Sequence, residues 1–523
     1  MTYLLALLAG TFYGLLIGII PAAGATTGLV ALFPFILYLQ SIDPYLAVVF
    51  IMAVVAASTT GDTFASILLG IPGANSSAAT MVDGFPLAQQ GKASYALSAA
   101  ITTSTINGLL FGALTFLLLP YYKDFLLLPA QQGGVGQAEL FAFCIMAFIT
   151  VTFVSNGKWF FSLAALCLGI FFSLVGTDPI TAAPRFTFGW EFLEGDAGHG
   201  VPMIPLMAGI FAMPELILAL KKKMLADREF KTDNYQQVMD GIKISFKEWK
   251  LSLRGGLIGS VVGFLPGIGG SISDWLAYGT TVATNPKEKF GNGNIKGVIG
   301  PEGSNNAQKA TSMIPTVLFG IPGAPFAAVV VGLFSAIGFD LSLDSVNVLA
   351  DPLFFNAMSL GFLAATLLTG VICIFSIKFI SRITYVPFKY YFPVILIAIV
   401  WATWTSGFST YGMENVILLV FFTGLGLLMK KYQFSRPALM IGFMLGYRIE
   451  ELAIQTFQLF NIGGYPLLKL KELLGYSVGQ GPLDIAANPA NNLLTHPTFV
   501  GIVFVTFIIL YYSWKNKGHV NYS

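Results

Sequence analysis

The sequence predicts an all-α polytopic membrane protein of about 12 transmembrane helices, arranged as two inverted repeats with broken or re-entrant helices. Three observations carry that expectation. The chain is 55% apolar and only 10% charged over 523 residues, with a mean hydropathy of +0.75, a balance foreign to ordinary water-soluble domains. Apolar stretches recur at the roughly 20-residue length that crosses ~30 Å of hydrocarbon. Matching Gly/Pro breaks interrupt those stretches at places about 250 residues apart.

The first stretch, Tyr3 to Ile20, lacks a basic n-region and a small-residue cleavage site, so it reads as a retained first helix rather than a signal peptide. Further spans are expected at Leu97 to Leu119, Glu139 to Val154, Trp159 to Val175, Leu353 to Ile380, Glu414 to Met429 and Phe499 to Trp514, with Pro437 to Tyr447 short enough to be re-entrant. Residues 1–220 form the first transmembrane repeat, 221–254 a cytoplasmic connecting loop, and 255–523 the second repeat plus a C-terminal helix. The connecting loop carries Lys221, Lys222, Lys223, Arg228, Lys231, Lys243, Lys247, Lys250 and Arg254, which the positive-inside rule places in the cytoplasm. Asp178, Glu191, Glu194 and Asp196 outnumber Arg185 in the preceding loop, which fits the opposite face. Leu97 to Leu119 then runs from inside to outside. Leu353 to Ile380, preceded by Asp340, Asp344 and Asp351 and followed by Lys378, Arg382 and Lys389, runs the other way. These two stretches occupy the same place after their respective breaks, so the repeat is read as inverted.

Aligning Pro21 with Pro266 also aligns Gly14 with Gly259, Gly18 with Gly263 and Gly24 with Gly269, so both halves read G-x3-G-x2-P-x2-G. Gly70-Ile71-Pro72-Gly73 answers Gly320-Ile321-Pro322-Gly323 in the same way. Interrupted apolar segments at corresponding positions of two halves are the sequence sign of a secondary transporter that binds its substrate at the repeat interface. The segments Ser58 to Ser94 and Gly267 to Pro325 are rich in Gly, Pro, Ser, Thr and Asn. Backbone of that kind persists at membrane depth where protein buries it or water reaches it, so both segments are expected to line a cavity. Asn285 to Gly297 is polar enough to be an aqueous loop.

A helix starting at a Pro-Gly break presents unpaired N–H donors and a positive dipole end, which suit a carboxylate. Thr26, Thr27, Asn75, Ser76, Ser77, Ser271, Ser273, Asn305 and Asn306 beside the breaks add neutral donors. The plainer reading of these Gly and Pro residues is close helix packing or a kink. Asp62 and Asp274, with Thr59, Thr60 and Ser271, can hold sodium or carry a proton; a helix N-cap is the alternative. Glu302 and Lys309 either pair with each other, line the entrance or, for Lys309, touch a carboxylate directly.

Other chemistries fit less well. No G-x4-G-K-[ST] phosphate loop is present, and His199, His496 and His519 form no metal-ligand pair, so neither a metal nor an organic cofactor is expected. Cys144, Cys167 and Cys373 lie in apolar stretches without metal spacing and read as small hydrophobes. Asp62 and Asp274 match a membrane-embedded aspartyl hydrolase only in number. A stand-alone ion-coupled carboxylate carrier and a passive channel are further alternatives.

At these residues the chain resembles the large membrane subunit, TctA, of the tripartite tricarboxylate transporters. The resemblance covers essentially the whole chain and is carried by the paired G-x3-G-x2-P-x2-G motifs, by LLGIPG followed by DGFPLAQQGKA, and by FGNGNIKGVIGPEGSNNAQKATSMIPTVLFGIPG. It implies a bacterial inner-membrane symporter that imports citrate or another carboxylate with sodium or protons. Its implied partners are a small integral-membrane subunit (TctB-like) and a periplasmic solute-binding protein (TctC-like). By motif position, Pro21, Gly24, Gly70, Pro72, Gly73, Pro266, Gly267, Gly269, Asn305, Asn306, Pro322 and Gly323 would form the substrate and ion cavity. Ala22, Asp62 and Gln308-Lys309 depart from the family's usual small residues, which bears on substrate and coupling ion.

Overall fold

The computed structural model describes residues 1–20, 24–73, 77–127, 137–154, 159–177, 184–194, 200–220, 229–232, 234–265, 270–341, 348, 351–406 and 412–459. Among these, strand is confined to one antiparallel pair, β1 (Gly176–Thr177) with β2 (Pro184–Arg185); helices make up most of the rest. Contacts divide the chain into two compact units, the first from Met1–Pro120 with Met203–Leu428 and the second from Tyr121–Pro202 with Met429–Ser523. The division cuts across the sequence repeats, and both sets of paired breaks fall in the first unit.

The first unit opens with α1 (Thr2–Ile19), α2 (Gly24–Ala31), α3 (Phe33–Ile42) and α4 (Pro44–Leu69). Asp43 starts α4 by accepting the Tyr45 N–H at 2.9 Å, and Pro44 adds a preset φ at the first helical position. Every residue from Leu46 to Leu69 is buried, so α4 is a central post rather than a lipid-facing helix. It ends at Gly70, whose φ of 65° needs the left-handed freedom of glycine. Then come α5 (Ala78–Gln89) and α6 (Ala93–Leu127).

The second unit begins with α7 (Gln137–Val154) and α8 (Trp159–Ser173). The chain returns to the first unit with α9 (Met203–Met207) and α10 (Met213–Ala219), joined by a π-helical turn at Ala208–Ala212. Helix α11 (Tyr235–Lys247) lies inside the connecting segment. Next come α12 (Trp249–Phe264), α13 (Gly270–Thr284), α14 (Lys296–Thr311), α15 (Met313–Phe319), α16 (Pro325–Ala336), α17 (Pro352–Phe375), α18 (Ile377–Thr384), α19 (Phe388–Trp404) and α20 (Gly412–Lys431). Last is α21 (Arg436–Leu459), which packs on α7 and α8 within the second unit. There Arg185 pairs with Glu450 at 3.1 Å.

Two helix pairs show why the glycine periodicity exists. On α1, a methyl at Gly10 would fall 2.7 Å from the Phe50 carbonyl oxygen and one at Gly14 2.7 Å from that of Val54, while Gly18 meets Ser58. On α12, Gly255 meets Gly300, a methyl at Gly259 would fall 2.5 Å from the Ser304 carbonyl oxygen, and one at Gly263 2.7 Å from that of Gln308. Small residues every fourth position let the two backbones touch. Phe50, Val54 and Ser58 each stand 250 residues before Gly300, Ser304 and Gln308, so the α1–α4 and α12–α14 pairs repeat one contact pattern.

Among the described residues, five helices are long and apolar enough to cross a membrane, or up to seven when the bent pairs α2–α3 and α18–α19 each count as one span. The expected Leu353 to Ile380 span divides at Ser376, where α18 starts with Ile377 and Ile380 buried. Pro437 to Tyr447 is part of the 24-residue α21. Phe499 to Trp514 lies outside the described residues. Leu110, Leu114 and Leu117 on α6 and Leu360, Leu367 and Val371 on α17 are exposed, as a lipid-facing side requires. The polar stretch between Gly267 and Pro325 is helical rather than irregular over most of its length; α14 and α15 are buried, α13 is partly exposed, and Pro301 is accommodated inside α14.

Candidate functional site

The last turns of α4 carry Ser58, Thr59, Thr60, Asp62, Thr63 and Ser66, all buried. Ser58 and Thr59 return their hydroxyls to carbonyls of their own helix, which satisfies them without a partner helix. Thr60 and Thr63 instead reach α14. The Asn306 amide donates to Thr60 Oγ1 at 3.3 Å, and Thr63 Oγ1 donates to Glu302 Oε1 at 3.2 Å. Thr80 of α5 donates to the same Glu302 oxygen at 2.8 Å. One carboxylate of the second half is thus held by two hydroxyls of the first.

The two GIPG breaks close onto equivalent positions. A methyl at Gly73 would fall 2.6 Å from Asp62 Cβ and 2.7 Å from its Cα. A methyl at Gly323 would fall 2.9 Å from Ser312 Cβ and 3.0 Å from its Cα. Asp62 and Ser312 stand 250 residues apart, as do Gly70 and Gly320, both left-handed with φ of 65°. Ser66 and Thr316, also 250 residues apart, each tie to the chain after the break, through different partners: Ser66 Oγ donates to Ser77 Oγ at 2.8 Å, while the Gly323 N–H donates to Thr316 Oγ1 at 3.1 Å.

Helix α14 is where buried polarity concentrates. Glu302, Ser304, Asn305, Asn306 and Gln308 are buried in succession. Among the described residues, both ends of the Gln308 amide and the carbonyl oxygens of Asn305 and Asn306 have no hydrogen-bond partner, which leaves capacity for a ligand. Asn306 also packs against Gly108 of α6, where a methyl would fall 2.8 Å from Asn306 Cβ. The Lys309 ammonium stands 4.7 Å from the centre of the Phe326 ring. Asp274 on α13 is buried and accepts from Ser273 Oγ at 3.2 Å. Among the described residues no three His, Cys, Asp or Glu side chains are placed to hold a metal ion. A hard cation here would therefore rely on hydroxyl and carbonyl oxygens as well as carboxylate.

A second knot ties the halves in the Asn285 to Gly297 segment. Asp83 of α5 accepts through one oxygen from the N–H groups of Gly291 at 2.8 Å, Gly293 at 3.0 Å and Asn294 at 2.9 Å. Its other oxygen accepts from the Tyr278 hydroxyl at 3.0 Å. Lys296 pairs with Glu288 at 2.7 Å. The Asn294 amide and Lys296 hold the Glu288 carboxyl below the usual carboxylate range.

Of the residues expected at the site, Thr60, Asp62, Gly70, Pro72, Gly73, Asp274, Asn305, Asn306, Pro322 and Gly323 lie in this unit on α4, α13, α14 and the two breaks. Gly24 and Thr26 open α2, which packs on α4 and α16. Pro21, Asn75, Ser76, Pro266, Gly267 and Gly269 lie outside the described residues, as does the side chain of Ser271. The sequence reading passed over Thr63, Thr80, Asp83 and Phe326. Thr63 stood within the polar run STTGDT, but nothing local points Thr80 at a glutamate 222 positions away.

Residues 4–441 match the family described as "Tripartite tricarboxylate transporter TctA family". The chain is 27% identical over 448 residues to an Agrobacterium vitis protein described as "Uncharacterized 52.8 kDa protein in TAR-I ttuC' 3'region", covering 84% of each chain. It is 30% identical over 199 residues to another from the same organism, "Uncharacterized protein in TAR-II ttuC' 3'region", covering 37% of this chain and 78% of the relative. No solved structure matches.

Proposed function

Because the chain belongs to the tripartite tricarboxylate transporter TctA family, we propose that it imports a small organic carboxylate, a tricarboxylate or dicarboxylate, by symport with sodium or protons. Family membership makes it a multi-pass membrane subunit of a tripartite transport system. The finer reading places it in the bacterial inner membrane beside a TctB-like small membrane subunit, with substrate delivered by a TctC-like periplasmic binding protein. Citrate is one substrate of this class. The reading keeps two inverted repeats with about twelve crossings; among the described residues five to seven spans meet the length rule, and the four shorter apolar helices are further candidates.

The observation that carries the reading is the shared polar seam between α4 of the first half and α14 of the second. Thr60, Thr63, Glu302 and Asn306 join there, beside breaks pressed against Asp62 and Ser312. Backbone N–H groups after Pro72 and the amides of Asn305 and Asn306 are the proposed carboxylate donors; Pro322, Gly323, Gly24, Thr26, Pro21, Asn75, Ser76, Pro266, Gly267, Gly269 and Ser271 complete the proposed lining. Neutral donors bind an anion without the deep trap of a fixed counter-charge, as a carrier must. Asp62, Asp274 and Thr60 are the proposed cation-sensing groups, since an intramembrane carboxylate beside hydroxyls responds to a proton or a sodium ion.

Uptake of radiolabelled carboxylates into proteoliposomes tests this directly. Transport should require both the cognate binding protein and an inward cation gradient. Uptake that needs neither would reject the tripartite symport.

A further inference from the structure

Glu302 sits on α14 with no exposed surface. Its Oε1 accepts from Thr63 Oγ1 of α4 at 3.2 Å and from Thr80 Oγ1 of α5 at 2.8 Å. Its Oε2 is equally buried and, among the described residues, has no hydrogen-bond partner. The carboxyl is therefore held through one oxygen, by neutral hydroxyls that belong to the other half of the chain.

No counter-charge completes it. The elements packed against this helix carry Tyr45 and Asp62 on α4, Asp83 on α5, Lys250 and Arg254 on α12, and Asp274 and Tyr278 on α13; α14 itself adds Lys296 and Lys309. Tyr45 and Tyr278 turn their hydroxyls to Asp351 and Asp83. Arg254 donates to Thr284 at 2.8 Å, Lys296 pairs with Glu288, and Lys309 lies over Phe326. Among the described residues none of these cations forms an ion pair with Glu302, so the pairing with Lys309 that the sequence allowed is not made. Nor does packing call for an acid here. Glu302 and Asn305 stand 250 residues after Met52 and Val55, both buried on α4, so the matching helix fills these two positions with apolar side chains.

An unpaired carboxylate is costly to bury, and a carboxyl meets that cost by holding a proton. Asn305 stands three positions on, on the same helix face, and its carbonyl oxygen has no partner among the described residues. A side-chain amide can offer N–H to a carboxylate or C=O to the protonated acid, so Asn305 suits both states of Glu302. When its C=O accepts from the acid, its N–H groups are freed for an anion. Protonation also removes the negative charge that would repel that anion.

We propose that Glu302 carries the transported proton: Oε2 takes one proton from the outer aqueous phase as the carboxylate substrate binds at Asn305 and Asn306, and returns it on the inner side when the substrate leaves. No other bond forms or breaks. The inference rests on the symport reading above and narrows its coupling ion to a proton, adding Glu302 to the coupling groups. Proton and anion then raise each other's affinity by the same factor.

Two measurements on the full chain in lipid test this. In pH-difference infrared spectra, the wild type should show a protonated-carboxyl C=O band that comes and goes with pH and is absent from Glu302→Gln. In proteoliposomes supplied with the cognate binding protein and radiolabelled citrate or succinate, Glu302→Gln should lose accumulation driven by a pH gradient. It should retain exchange of internal for external carboxylate, at a rate that no longer depends on pH. If Glu302→Gln does not purify as a folded protein, Thr80→Val carries the test: losing a hydroxyl donor disfavours the charged carboxylate, so the pH midpoint of the infrared band should rise by about one unit. Identical spectra for the wild type and Glu302→Gln, or an unmoved midpoint in folded Thr80→Val, overturn the proposal. So does a folded Glu302→Gln that still accumulates substrate under a pH gradient, or that loses exchange as well. Wild-type uptake driven by sodium and indifferent to a pH gradient also overturns it and leaves symport standing. Uptake indifferent to every cation gradient removes symport, and the proton role of Glu302 with it.

Discussion

Gly259→Ala is the sharpest probe of the packing that positions α14. A methyl there would fall 2.5 Å from the Ser304 carbonyl oxygen and 2.8 Å from its Cα, roughly 1 Å inside the separation that non-bonded atoms prefer. Both obstacles are backbone, so neither can rotate away, and α12 must move off α14. Overpacking of this kind costs about 1–3 kcal/mol, against which the better helix propensity of alanine returns up to ~1 kcal/mol. Gly279→Ala on α13 is the matched control, because a methyl there meets nothing within 4 Å and only the propensity gain of about 0.5–1 kcal/mol applies. The two variants should therefore shift thermal unfolding in opposite directions, by roughly 2 to 4 °C between them. Uptake should also fall in Gly259→Ala, since Ser304 to Gln308 move with the displaced backbone. Equal Tm shifts in the two variants would show that α12 and α14 are not in backbone contact.

Gly14→Ala should reproduce the loss seen at Gly259, because the same methyl falls 2.7 Å from the Val54 carbonyl oxygen; a neutral result there breaks the equivalence of the two helix pairs. Thr80→Val removes the 2.8 Å donor to Glu302 and should lower stability by about 1–3 kcal/mol, the cost of a buried acceptor left short; denaturant or thermal midpoints equal to those of the wild type would show that Thr63 alone suffices. Asp83→Asn weakens the acceptor for three backbone N–H groups, so a cysteine at Gly291 should react faster with a membrane-impermeant maleimide, and an unchanged labelling rate argues that the segment is held by other contacts. Asp62→Asn should alter the ion dependence of uptake; identical ion titration curves would remove Asp62 from coupling.

The paired breaks and the glycine spacing were legible because they are local, periodic and repeated. Gly14, Gly18, Gly259 and Gly263 stand at helical intervals, and the contact each makes is what that interval permits. Burial of Asp62 beside Gly73 was half legible: the motif marked both residues but not their contact. The helical state of 296–311 was not, since Gly297, Gly300, Pro301 and Gly303 argue against a helix until close packing on Gly255, Gly256 and Gly259 supplies a use for small residues. Helix α11 was hidden by its charges, although Val238, Gly241 and Ser245 form its buried face. Contacts such as Lys309 with Phe326 and Asp83 with Gly291–Asn294 belong to tertiary structure alone. No local pattern specifies them.

The shared site itself is tested most directly by an experimental structure of the full chain with its carboxylate bound. Substrate density is expected between the Gly70–Gly73 and Gly320–Gly323 turns, within hydrogen-bonding distance of the backbone N–H groups after Pro72 and of Asn305 or Asn306. Density elsewhere, with the two turns facing lipid and no common ligand, contradicts it.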